Sequence, residues 1–241
     1  MRLTIIIPAH NEEATIGQVV DKVFRVDLVP RLGLGLLSRW EKEVIVINDG
    51  SSDSTKSILS HISPKVDGRT QMAILHHEKN LGKGAAIQTG LKRASGDYVI
   101  IQDADAEYDP SDIPNLLSLI ANQKNQIAVF GKRGYKAYPE RGFHYVIGAW
   151  MLTTFYNILY HQNLTDLYTG YKLIPTLVFK SLNIQSKGFE FEAEVACKLA
   201  KRGVIIKEIP IHYQPRNKNQ GKHIRFKDAV KGFWKILILR F

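Results

Sequence analysis

Tyr98-Val99-Ile100-Ile101-Gln102-Asp103-Ala104-Asp105-Ala106-Glu107 is the stretch whose reading decides the fold. A short apolar run rich in β-branched residues reads as a buried strand. Three acids follow it at i, i+2 and i+4. Carboxylates disfavour a buried strand unless their charge is compensated. At a strand's C-terminal end they can meet a divalent cation, which prefers carboxylate oxygens and can bridge to a diphosphate. The other reading is an acidic loop that caps a helix beginning at Ser111.

Outward from this stretch, strand and helix patterns alternate. Leu3–Pro8, Glu43–Asn48, Met72–His76, Asp97–Gln102 and Gln126–Gly131 read as strands. Between them, helical patterns run from an Asn11 cap through Phe24, from Asp49 through Leu59, over Lys83–Ala94 and over Ser111–Ala121, and residues 28–40 read as a long loop. Strands separated by helices imply right-handed crossovers and a mainly parallel sheet, whose ligands sit at the carboxyl ends of the strands. Five loops rich in Gly, Asn, Asp or basic residues fall at those ends: Pro8–Glu12, Asn48–Asp53, Asn80–Gly84, Asp103–Glu107 and Gly131–Arg133. Together they outline a cleft.

The 241 residues, 44% hydrophobic and 23% charged, suit one large domain or a domain with an extension. The lone cysteine, Cys197, has no intrachain disulfide partner; it reads as a buried thiol suited to a reducing compartment. The first apolar run lacks a basic lead-in, so no signal peptide is expected, and no apolar stretch is long enough to predict a spanning helix. Net charge is +10, and the excess is regional: from Arg216 to Arg240 eight basic residues face one acid, Asp228, for a net of +7. An anionic partner is expected there: phosphate, anionic lipid or nucleic acid.

The ordered set of loops resembles the nucleotide-diphospho-sugar domain of family 2 glycosyltransferases. Within it, residues 3 to about 228 are most similar to the polyprenyl-phosphate (dolichyl-phosphate) mannosyl- and glucosyltransferases. The resemblance implies an α/β fold of GT-A type, a mainly parallel mixed sheet flanked by helices, over residues 1–225, with 226–241 as a basic amphipathic helix. It also implies that Pro8, Ala9, Asn11, Glu12, Asp49, Lys83 and Asp103 bind the donor, and that Asp103, Asp105 and Glu107 hold Mg²⁺ or Mn²⁺. Relatives often carry Gln at the position of Glu107. Carboxylates can accept hydrogen bonds from base or ribose, so Glu12 and Asp49 are chemically apt. Glu12 and Glu13 also suit a helix first turn, Asp49 a turn beside Gly50, and Asp53 a helix cap. Gly82-Lys83-Gly84 reads equally as a plain turn; it lacks Walker-loop spacing.

On the acceptor side, Lys132, Arg133, Lys136 and Arg141 precede the apolar stretch Phe143–Tyr160, which reads as a core helix or as a seat for a lipid tail. The resemblance implies that Arg133 holds an acceptor phosphate, with Arg141, Arg216 and Lys222 as further phosphate ligands. An arginine fork suits that task. Asp166, in Thr165–Lys172, orients groups or supplies charge in preference to acting as base, because a phosphate acceptor is already ionised. Asp105, Asp166 and Arg133 are the expected catalytic set. Gly188–Glu192 opens a helix, with Glu190 or Glu192 placed to meet sugar hydroxyls or a helix dipole.

In Phe226–Phe241, Phe226, Val230, Phe233, Leu237 and Phe241 recur at helical spacing among Lys227, Lys231, Lys235 and Arg240. That pattern predicts an interfacial helix at an anionic membrane or a helix packed on the domain. The expected activity is inverting transfer of a hexose from GDP-mannose or UDP-glucose to a polyprenyl phosphate. The expected place is peripheral, at the cytoplasmic face of a membrane, alone or with a membrane-protein partner. Transfer to a protein or glycan is the alternative. A nucleic-acid-binding module is disfavoured, because the tail aromatics do not form a stacking platform and no nucleic-acid motif occurs.

Overall fold

Leu3–Ile7, all fully or nearly fully buried, form the centre of the molecule. They belong to β1 (Arg2–Ala9), which pairs in parallel with β2 (Glu41–Asp49) and β4 (Tyr98–Ile101). The structure is a computed structural model. It describes residues 1–29, 40–62, 68–120, 127–134, 143–216 and 226–241, without the side chains of 143–145, 226 and 227. Within these residues, β3 (Thr70–His77), β5 (Ala128–Arg133), β6 (Lys172–Pro175) and β7 (Ile206–Ile211) complete a seven-stranded sheet of order β3-β2-β1-β4-β6-β5-β7. Only β6 runs antiparallel to its neighbours.

Successive side chains of a strand point to opposite faces, so each central strand feeds two cores. Leu3, Ile5, Ile7, Val44, Val46 and Ile100 pack toward α1 (Ile16–Arg25), α2 (Thr55–His61) and α4 (Ile113–Ile120). Ile6, Ile45, Ile47, Val99 and Ile101 pack toward α3 (Lys83–Arg93), α5 (Phe143–Tyr160), α6 (Thr176–Ser181) and α7 (Phe191–Lys201). Burial on both faces explains the continuous apolar runs. Helix α8 (Phe226–Arg240) packs on α5 and α7 and buries Ile236 completely. Cys197 lies in this core, and burial pushes its thiol up to about 12, which makes it an inert side chain at neutral pH.

The topology positions the site. From β1 the chain steps outward to β2 and β3, then returns to β4 on the far side of β1. That reversal creates a crevice between the carboxyl ends of β1 and β4. Because β6 is antiparallel, the segment before it, Asp166–Tyr171, reaches the same edge. The segment after β7, from His212, does so as well.

Strand β1 runs on to Ala9, and two local readings are corrected. Pro8 and Ala9 are the last residues of β1, and Ala9 is a buried core residue. Asn11 does not cap a helix: it has φ +54°, α1 starts at Ile16, and the Asn11 Oδ1 accepts a 2.8 Å bond from Ser52 N–H. The acidic triplet does not cap the helix after it; Asp109 does, accepting a 2.9 Å bond from Ser111 N–H. Strands β6 and β7 were not anticipated. The expected long loop falls mostly on residues 30–39, outside the described residues.

Candidate active site

The acidic loop is braced from below. Gln102 Nε2 donates to the carbonyls of Asp103 (3.1 Å) and Tyr108 (3.2 Å), and Tyr171 Oη donates to Gln102 Oε1. Tyr108 stacks on Tyr171 with ring centroids 4.9 Å apart, and its Oη accepts a 2.8 Å bond from Gly170 N–H. A Cβ at Gly170 would lie 2.7 Å from Asp103 Oδ2, so a larger residue there would displace that carboxylate. Asp103, Asp105 and Glu107 are all buried, at 7, 6 and 2% exposure.

Lys83 begins α3 directly opposite. Its Nζ lies 2.7 Å from Asp103 Oδ1 and 3.1 Å from Glu192 Oε1. Burial alone would lower the ammonium's pKa; Asp103 and Glu192 outweigh it and hold it raised. The turn before Lys83 requires glycine: Gly82 has φ +97°, and a Cβ there would meet the Lys187 carbonyl oxygen at 2.4 Å. Asp49 holds this turn in place. Its Oδ1 accepts from Leu81 N–H (2.9 Å) and His77 Nδ1 (2.7 Å), and its Oδ2 from Gly82 N–H (2.8 Å). Asp49 is therefore an anchor of the lysine-bearing loop.

Glu192 reaches further. Its Oε2 pairs at 2.5 Å with Lys172 Nζ, which is fully buried and also donates to the carbonyls of Leu167 (3.2 Å) and Thr169. Asp103, Lys83, Glu192 and Lys172 thus form an alternating chain of charges. It links the acidic loop to the segment that carries Asp166.

Across the edge, Arg133 ends β5. Its Nε and Nη2 each donate at 2.7 Å to the two oxygens of Asp166, and its backbone N–H donates at 3.2 Å. The Tyr213 ring lies 5.1 Å from the guanidinium carbon. Asp166 is fixed in turn by its own N–H, which donates to Glu208 Oε1 at 3.0 Å. A cavity of about 330 Å³ opens beside this pair. Lys132, Arg133 and Asp166 line one wall, and Val146, Ala149 and Trp150 of α5 line the other.

Arg216 lies against the loops that follow β1 and β4 and does not line this cavity. Its Nε donates to the Asp105 carbonyl at 2.8 Å, and its Nη2 to Thr15 Oγ1 at 3.1 Å and to Glu12 Oε2. Arg141 and Lys222 lie outside the described residues.

Among the described residues, no three His, Cys, Asp or Glu side chains converge as a metal-ligand group. Asp103 and Asp105 nonetheless suit a hard cation that takes one or two carboxylates and completes its shell with substrate phosphates and water. Glu107 turns elsewhere. Its Oε2 accepts from Tyr213 Oη at 2.8 Å, and its Oε1 from Arg216 N–H at 3.2 Å.

Sequence reasoning did not single out His77, Tyr108, Tyr213 or the bridging role of Lys172. The available signal for Lys172 was a charge set against the apolar run Leu173-Ile174-Pro175.

The sequence pattern of Glycosyl transferase family 2 matches residues 4–182. The chain is 25% identical over 234 residues to the low-salt glycan biosynthesis hexosyltransferase Agl6 of Haloferax volcanii, covering 93% of this chain and 52% of that protein. It therefore spans about half the length of that relative. It is 26% identical over 246 residues to dolichyl-phosphate beta-glucosyltransferase ALG5A of Trichomonas vaginalis, covering 95% of this chain and 70% of that one. Among solved structures it resembles glucosyl-3-phosphoglycerate synthase of Mycobacterium tuberculosis, crystallised with Mn²⁺, UDP-glucose and phosphoglyceric acid. That match has a TM-score of 0.69 and 18% identity, and covers 99% of this chain and 79% of that one. The fold is the GT-A-type α/β arrangement.

Proposed function

The chain belongs to glycosyl transferase family 2, and from that premise we propose that it moves a hexose from a nucleotide sugar to a polyprenyl or dolichyl phosphate. The observation that carries this reading is the cavity at Arg133. One wall is cationic, and the opposite wall is the apolar face of α5 ending in Trp150, which is 58% exposed. A phosphate headgroup and a hydrocarbon tail need that pairing. The names of the Haloferax and Trichomonas relatives, a hexosyltransferase and a dolichyl-phosphate glucosyltransferase, support the same reaction class.

In this reading Asp103 and Asp105 would hold a divalent cation, which would offset the charge of a leaving nucleoside diphosphate. Lys83 adds a fixed positive charge beside Asp103. Arg133 receives the acceptor phosphate, its guanidinium plane set by Asp166. Asp166 orients Arg133 and abstracts no proton, because a phosphate oxygen already bears charge near neutral pH. Alignment of the acceptor oxygen with the anomeric carbon, and charge stabilisation, supply most of the acceleration. Inverting displacement follows from a single in-line attack.

The lipid acceptor places the protein at a membrane surface. No helix among the described residues is long and apolar enough to cross a bilayer. Helices α5 and α8 expose Met151, Ile158, Trp234 and Ile238, and Phe241 after α8 is exposed as well. Phe155 and Phe233 stack at 4.6 Å where the two helices meet. Lys231, Lys235 and Arg240 add basic charge along α8. These features support peripheral binding at an anionic, cytoplasmic leaflet.

A thermal-shift series with UDP-glucose and GDP-mannose, each with Mn²⁺ and with Mg²⁺, tests the donor half. Donor at about 100 times its Kd adds about 2.7 kcal/mol, a rise in Tm of about 5–10 °C for a chain of this size. One donor is expected to give that rise. A flat response to both donors with both metals contradicts the reading.

A further inference from the structure

We propose that Glu107 is a positioning residue that clasps the segment Tyr213–Arg216 over the donor crevice, in place of serving as a third metal ligand. The proposal deepens the donor-site reading above and rests on it. Its grounds are the bonds between two segments more than a hundred residues apart.

Glu107 holds that segment through both its backbone and its carboxylate. The Glu107 carbonyl accepts from Gln214 N–H at 2.9 Å, next to an antiparallel bridge between Tyr108 and Tyr213. Its Oε2 accepts from Tyr213 Oη at 2.8 Å, and its Oε1 from Arg216 N–H at 3.2 Å. The donors therefore approach opposite oxygens. With the backbone of Arg216 held there, its side chain spans from the Asp105 carbonyl to Thr15 and Glu12. One residue thereby joins the loops that follow β1 and β4, which flank the crevice proposed for the nucleotide sugar.

The choice of acid has a chemical reason. A carboxylate accepts at both oxygens, whereas a carboxamide accepts at one end and donates at the other. With glutamine, Oε1 can keep the Arg216 N–H and the amide N–H can donate to Tyr213 Oη, but the phenol hydrogen then loses its acceptor and the charge-assisted bond to Arg216 becomes an ordinary one. At 2% exposure, water does not readily supply the missing acceptor. A carboxylate at this position satisfies two donors at once.

The test compares Glu107→Gln, which is nearly isosteric, with Tyr213→Phe. Two readouts are used: amide hydrogen exchange at Arg216 followed by NMR, and Mn²⁺ titration followed by electron paramagnetic resonance. In Glu107→Gln the Arg216 amide is expected to exchange about tenfold faster or more, as local opening becomes easier. Mn²⁺ affinity should stay within about twofold of the parent protein, since the metal contact is assigned to Asp103 and Asp105. Tyr213→Phe should raise exchange in the same segment and leave Mn²⁺ affinity unchanged. A tenfold loss of Mn²⁺ affinity in Glu107→Gln with Arg216 exchange unaltered overturns the proposal, as does unaltered exchange by itself. Exchange needs no nucleotide sugar. A clasp that opens as expected in a protein that binds no donor would therefore refute the donor reading and leave the role of Glu107 standing.

Discussion

Replacing Glu192 with alanine is expected to cost about 3–5 kcal/mol of stability and to abolish sugar transfer. Its carboxylate touches two ammonium groups, Lys83 at 3.1 Å and Lys172 at 2.5 Å, and Lys172 is fully buried. Removing one partner of a buried ion pair leaves an uncompensated charge, which costs more than the pair contributes net. For a chain of this size the loss lowers Tm by about 6–20 °C. The kinetic effect has a separate origin. Lys172 Nζ also holds the carbonyls of Leu167 and Thr169, so loss of its carboxylate partner loosens the segment that carries Asp166. Adding Lys172→Met to Glu192→Ala removes the orphaned charge, and should recover much of the stability but little of the activity. Chemical denaturation of both variants checks the first part. A loss below about 1 kcal/mol for Glu192→Ala would show that the charge chain does not contribute as argued.

The second large effect is expected at Arg133. Arg133→Ala should lower kcat/KM for a polyprenyl phosphate by about 10²–10³-fold, the worth of a bidentate, charge-assisted contact. Donor binding should survive, with the nucleotide-sugar thermal shift close to that of the parent protein. Arg133→Lys should recover only part of the loss. A single ammonium cannot reproduce the two 2.7 Å bonds that Nε and Nη2 make to Asp166, so its direction into the cavity is no longer set. Equal losses with lipid phosphate and with a soluble acceptor would argue that Arg133 serves the fold, not the acceptor.

Much of this arrangement was legible in the residues. Parallel strands buried on both faces write continuous apolar runs, which is why β1, β2 and β4 could be read from sequence. Turn residues at their ends marked one edge as the ligand-binding side. β6 was invisible because it is four residues long and begins with Lys172, a charge that becomes acceptable in a strand only once Glu192 is beside it. β7, Ile-Lys-Glu-Ile-Pro-Ile, mixes charges and a proline into a strand beside β5. The side-chain partnerships were less legible still. The anchoring bonds of Asp49 to Leu81 and Gly82 were not legible, because they depend on β2 and β3 lying side by side. Glu107 was read as a metal ligand through the family resemblance, and the clasp proposed for it was not legible in the sequence. The partners that claim it, Tyr213 and Arg216, arrive only when the segment after β7 reaches the same edge. Arg216 was assigned to the acceptor phosphate through the family resemblance. Its contacts to Glu12 and the Asp105 carbonyl, which join the loops after β1 and β4, were not legible in the sequence.

The most direct test of the account is a partition measurement. The protein is incubated with Mn²⁺, nucleotide sugar labelled in the hexose, and vesicles carrying polyprenyl phosphate, then extracted with organic solvent. The account predicts label in the organic phase as a lipid-phosphate sugar, lost with EDTA and in Asp105→Ala. Label that remains aqueous, or that appears on protein, glycan or phosphoglycerate while the lipid stays unmodified, would contradict it.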